Sequence, residues 1–126
     1  MNEVPDSGRP AVALDDAALG RLRELDPDGR LGVVNRVLEA YETSLKRLLG
    51  QLRDDDCVSD PALVAGIAHT LKSSSASVGA LALAASCADV EHRLRAGAAD
   101  DLHADVQRLL VDGEAALQAV GATLRP

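Results

Sequence analysis

Aromatic residues are almost absent from this chain. Tyr41 stands alone, with no Phe and no Trp, although 47% of the residues are hydrophobic. A core without rings must be built from Leu, Val and Ala, which suits packed helices better than strands. No apolar run approaches the ~20 residues that a membrane-spanning helix requires. Cations are also in short supply: 13 Lys and Arg face 20 Asp and Glu, a formal charge of −7. Such a domain repels phosphate backbones, and no basic run or stacking aromatic compensates, so no nucleic-acid partner is expected. Residues 1–13 hold Glu3, Pro5, Asp6, Arg9 and Pro10 without an apolar stretch, so no secretory signal is expected. Cys57 and Cys87 lack any CxxC spacing, and two free thiols are the expectation for an unexported chain. These absences together describe a soluble, acidic, cytoplasmic domain.

What is present is enough for one domain. A chain of 126 residues and 13.1 kDa buries about two-thirds of its unfolded surface on folding. Residues 1–13 read as a flexible leader and residues 14–126 as the folded domain. Leu14, Ala18, Leu22 and Leu25 have helical spacing and predict a short helix over about 14–25. Asp26-Pro27 reads as an N-cap followed by proline in the first turn. Leu31, Val34, Leu38, Tyr41, Leu45, Leu48 and Leu52 then mark a long amphipathic helix to about Arg53. Asp54, Asp55 and Asp56 open a polar loop.

Asp60-Pro61 repeats the cap signal and begins a third helix, with Leu63, Ile67 and Leu71 expected inward and Gly79 as its stop. Leu83, Cys87, Val90 and Leu94 form the stripe of a fourth helix ending at Gly97. Leu102, Val106, Leu109, Leu117, Val120 and Leu124 form that of a fifth, which Gly113 threatens to interrupt at about 1 kcal/mol relative to Ala. Nothing alternates with period two. The predicted fold is all-α: an antiparallel up-and-down four-helix bundle with a short additional N-terminal helix.

The third helix carries the informative residue. At 100° per residue His69 lies about 160° from both Ile67 and Leu71, so it points away from the core stripe. Within about 60° of it on the helical wheel fall Ala62, Ala65, Gly66, Lys72, Ser73 and Ala76. All but the lysine are small, whereas an ordinary solvent face carries long polar residues. Imidazole is a nucleophile that keeps a neutral ring nitrogen near physiological pH. An ammonium at i+3 can neutralise an arriving phosphoryl group. Small neighbours let another protein come flush against the ring.

The stretch His69-Thr70-Leu71-Lys72-Ser73-Ser74-Ser75-Ala76-Ser77-Val78-Gly79-Ala80 resembles the signature of histidine-containing phosphotransfer (HPt) domains. The helix order agrees with that family over about residues 14–124. Ser73 stands where glycine is commonest, and the phenylalanine frequent in such bundles is missing. The resemblance implies a phosphorelay intermediate in two-component signal transduction. His69 would accept a phosphoryl group from an aspartyl phosphate on one receiver domain and pass it to another. Lys72 would steady the phosphate; Ala65, Gly66, Ser73 and Ala76 would line the docking surface; Gly79 would end the helix. The partners implied are response-regulator receivers or a hybrid sensor histidine kinase. The receiver would supply Mg²⁺, leaving this chain without cofactor or metal of its own. It would be a monomeric carrier and not an ATP-dependent enzyme.

Four other readings fit less well. A histidine kinase core would place an acidic residue directly after its histidine, where Thr70 stands, and needs an ATP domain for which there is no room. A docking module of the same fold without phosphotransfer has no chemical need for His69 and Lys72 together. A metal site lacks ligands, because His92 and His103 have no His or Cys at i+3 or i+4 and Cys87 precedes His92 by five. Ser73, Ser74 and Ser75 lack a base that would activate a hydroxyl, and the last two read as packing residues. Glu91, His92, Arg93 and Arg95 read as a solvated charged face.

Overall fold

The computed structural model describes residues 13–54 and 59–126. The expected leader, apart from Ala13, lies outside the described residues, as do Asp55, Asp56 and Cys57. Among the described residues five helices account for the regular structure: α1 (Asp16–Arg23), α2 (Val33–Leu52), α3 (Pro61–Val78), α4 (Leu81–Arg95) and α5 (Leu102–Leu124). Helices α2 to α5 form the four-helix bundle, and no strand occurs among the described residues. Cross-helix partners run in opposite order, Ser86 with Asp112 and Arg93 with Asp105 between α4 and α5, as antiparallel neighbours must. No helix among the described residues is long and apolar enough to cross a membrane.

The core is the aliphatic one that the composition demanded. Leu38, Leu45, Leu49 and Leu52 of α2 meet Val64 and Leu71 of α3, Leu83 and Val90 of α4, and Val106, Leu109 and Val120 of α5. The single aromatic is buried too, and the Tyr41 hydroxyl shares a 2.7 Å hydrogen bond with Ser75 on α3. Burial pushes the Tyr41 phenol up to about 12, so it remains a neutral hydrogen-bonding group.

The cap at α3 is as read from sequence. Asp60 accepts from the amides of Ala62 and Leu63, and Pro61 occupies the first turn. At the other end Gly79 takes φ +86° and its carbonyl accepts the Asp15 amide at 2.9 Å. A Cβ on Gly79 would lie 2.5 Å from that same Asp15 nitrogen. This joint fastens the start of α1 to the α3–α4 corner.

Several expectations require correction. Helix α1 ends at Arg23, and Asp26-Pro27 caps no helix of its own, because Gly29 and Gly32 at positive φ turn the chain before α2 begins. Asp26 is buried and accepts from the amides of Leu31 and Val33, capping α2 across seven residues. Leu25 and Leu31 therefore sit in an exposed connection, outside any helical stripe. Leu63 is 52% exposed where it was expected inward. Gly113 does not interrupt α5: it is buried, and a Cβ there would come 2.5 Å from Leu49 Cδ2. It lets Leu49 of α2 pack against the α5 backbone, a packing role that periodicity does not reveal.

Candidate functional site

His69 lies midway along α3, its side chain 62% exposed, with Nδ1 2.9 Å from Glu91 Oε2 on α4. Lys72, one turn further along α3, donates from Nζ to Glu91 Oε1 at 2.7 Å. Arg95, one turn beyond Glu91, donates from Nε to Oε2 at 2.9 Å. Glu91 is thus a carboxylate with a side chain only 9% exposed and three donors upon it. Hydrogen bonds from Lys72 and then Arg95, with a smaller share from His69, outweigh burial and hold its carboxyl at about 2.

That ionisation fixes the histidine. A carboxylate can only accept, so Nδ1 carries the proton, and in the neutral ring that tautomer leaves the lone pair on Nε2. The ring is therefore oriented by Glu91 with its nucleophilic nitrogen on a largely exposed imidazole. A shallow depression of about 550 Å³ lies beside this cluster, lined by Lys72, Ala88, Glu91, His92, Arg95 and Ala96.

The local fold explains the meeting. The two-residue Gly79-Ala80 connection folds α4 back antiparallel on α3, bringing position 91 opposite position 69. Glu91 falls four residues after Cys87 and three before Leu94, both buried. It therefore sits on the edge of the apolar stripe that turns α4 inward. The expectation that Glu91 belongs to a solvated charged face is wrong. His92 and Arg95 are exposed as expected, Arg93 turns to Asp89 and Asp105, but Glu91 faces α3. The available signal was a carboxylate at a stripe position.

Around the ring, Ala62, Gly66, Ser73 and Ala76 are all exposed. A Cβ on Gly66 would meet nothing within 4 Å, so no packing demands glycine there. Ala65, expected to line the same surface, is buried at 3% exposure. It lies two turns before Lys72 on the flank where α4 packs, which seals it from any partner. The hydroxyls of Thr70, Ser74 and Ser77 bond to helix carbonyls of Gly66, Thr70 and Ser73, and that of Ser75 to Tyr41. His92 and His103 are exposed on α4 and α5.

A family model described as the Hpt domain matches residues 33–123. No curated protein and no solved structure matches the chain significantly. The family match covers more than two-thirds of the sequence and includes all four bundle helices and the cluster around His69, and on that ground the chain belongs to the Hpt domain family.

Proposed function

We propose that this chain is a phosphorelay carrier in which His69 accepts a phosphoryl group from a receiver aspartyl phosphate and returns it to another receiver. The observation that carries the reading is the Glu91 contact at Nδ1. It supports the reading because the Nδ1–H tautomer it selects would present Nε2 as the nucleophile, on a face cleared of bulky side chains. Nε2 attacks phosphorus as the bond from phosphorus to the aspartate oxygen breaks, and the carboxylate leaves with that electron pair. The ring becomes an imidazolium bearing the phosphoryl group. Nδ1 keeps its proton, and Glu91 balances the new positive charge, so no proton need move. Return transfer reverses these steps.

Lys72 would supply positive charge to the phosphoryl oxygens, and Gly66, Ser73 and Ala76 would leave room for the receiver. Mg²⁺ would arrive on that receiver, whose own residues hold it; the carrier contributes nucleophile and surface. A response-regulator receiver or the receiver of a hybrid sensor kinase would serve as donor or acceptor.

The test mixes the purified chain, or its His69→Gln variant, with a phosphorylated receiver domain and Mg²⁺ in the absence of ATP. Intact mass is read at neutral pH and again after brief acid treatment. An acid-labile phosphoryl gain on the wild type alone is the expected result. Receiver binding without any gain would reduce the protein to a docking module.

A further inference from the structure

Glu91 holds more cations than its charge requires. One carboxylate accepts from Lys72 at Oε1 and from Arg95 at Oε2, with His69 also on Oε2. Lys72 is the cation nearest in sequence to the phosphoacceptor and the one proposed above to meet the phosphoryl group. It cannot serve both anions fully. Without Arg95, departure of Lys72 would leave Glu91 only the Nδ1–H of His69, and a carboxylate this buried is costly to leave so poorly paired. Arg95 removes that conflict, because its guanidinium stays on Oε2 whichever anion Lys72 serves. The open depression flanked by Lys72, Glu91 and Arg95 gives the lysine head room to change partners.

We propose that Arg95 is a positioning residue that releases Lys72 from Glu91 once His69 carries a phosphoryl group. In the resting protein Lys72 and Arg95 share Glu91. In the phosphorylated protein Lys72 Nζ turns to the phosphoryl oxygens, while Arg95 holds Glu91 ionised and fixed on Nδ1. Arg95 itself touches neither the phosphoryl group nor the ring. This inference rests on the phosphocarrier reading and adds a division of labour between two cations.

A consequence follows for the lifetime of the phosphohistidine. Loss of the phosphoryl group to water passes through a loose, metaphosphate-like transition state: the bond from phosphorus to Nε2 breaks, its electron pair goes to the ring, and the dianionic phosphoryl group moves toward the single charge of metaphosphate before water adds. A cation on the phosphoryl oxygens favours the ground state and slows hydrolysis. Without Arg95, Glu91 reclaims Lys72 and the phosphoryl group loses its cation.

The experiment labels His69 with phosphoramidate, a small phosphodonor that needs no receiver, and follows loss of phosphate by ³¹P NMR at neutral pH. The chains compared are the wild type, Arg95→Gln, Arg95→Lys, Lys72→Gln and the Arg95→Gln/Lys72→Gln double variant. Arg95→Gln should shorten the phosphohistidine lifetime about tenfold, the scale of one charge-assisted hydrogen bond, and Arg95→Lys should restore most of it. Lys72→Gln should shorten it as well, and the double variant should be no worse than Lys72→Gln alone, because Arg95 acts through Lys72. An unchanged lifetime in Arg95→Gln would overturn the inference. So would single effects that multiply in the double variant, since Arg95 would then act on the phosphoryl group by itself. A wild type that takes no phosphate from phosphoramidate or from a phosphorylated receiver would instead remove the phosphocarrier reading, and this inference with it.

Discussion

At the scale of single residues, Glu91 orients an exposed imidazole, which under the proposed function is the nucleophile. Its substitution by Gln keeps an acceptor for Nδ1 but loses the charge that balances a phospho-imidazolium. Phosphoryl acceptance should fall on the order of tenfold in Glu91→Gln, the low end of what losing a carboxylate partner costs metal-bound histidines. A phosphorylation time course with a constant receiver donor checks this. The same carboxylate makes acid sensitivity predictable. Its folded value of about 2 lies below the ordinary 4.5, so its contribution is complete above about pH 4.5 and is lost as pH falls toward 2. Glu42 and Asp89 are held below their ordinary values by Arg125 and by Arg108 with Arg93, respectively, and act in the same direction. The melting temperature should therefore be flat above about pH 5 and decline below it, with a smaller decline in Glu91→Gln. An equal decline in both proteins would remove Glu91 from the account.

At the scale of elements, two glycines set how the helices join and pack, for different reasons. Gly79 needs its positive φ, and any Cβ there meets the backbone of Asp15, which cannot move without unfastening α1. Gly113 has ordinary helical geometry, and the clash there is with the methyl end of Leu49, a side chain that is fully buried. Gly79→Ala should cost about 2–4 kcal/mol, combining left-handed strain with a backbone collision. Gly113→Ala should cost less, about 1–2 kcal/mol, because overpacking is partly offset by the better helix propensity of Ala. Urea unfolding of the two variants checks the order, and Gly113→Ala as the more damaging change would contradict the packing described. The helices themselves were legible in the sequence wherever a local cap or stripe sufficed, as at Asp60-Pro61 and along α4. The start of α2 was not, because its cap arrives from Asp26, seven residues before Val33, through a turn no periodicity encodes.

At the scale of the whole molecule, the bundle closes a core with a single aromatic by sealing small groups inside it. Cys87 is fully buried, and burial, with smaller contributions from Asp112 and Glu91, pushes its thiol up to about 12. The thiolate is the reactive form. In a Cys57→Ser background, a thiol reagent at pH 8 should therefore leave Cys87 unmodified until the bundle unfolds. Labelling should track global unfolding across a urea titration. Rapid labelling without urea would mean that α4 opens locally.

Much of this protein was settled along the chain alone. Leu, Val and Ala without rings dictated packed helices, the stripes dictated their number, and His69 opposed to Ile67 and Leu71 dictated an exposed imidazole beside Lys72. These are consequences of composition and helical period, which act over a few residues. Tertiary structure decided what crosses between elements: that Glu91 turns inward to hold His69, Lys72 and Arg95, that Ala65 is sealed while Gly66 stays open, and that Gly113 admits Leu49. Those outcomes depend on which face of α4 meets α3 and how closely α5 meets α2. The relative placement of helices distant in sequence has no local signature, because it emerges only when all the stripes are buried at once.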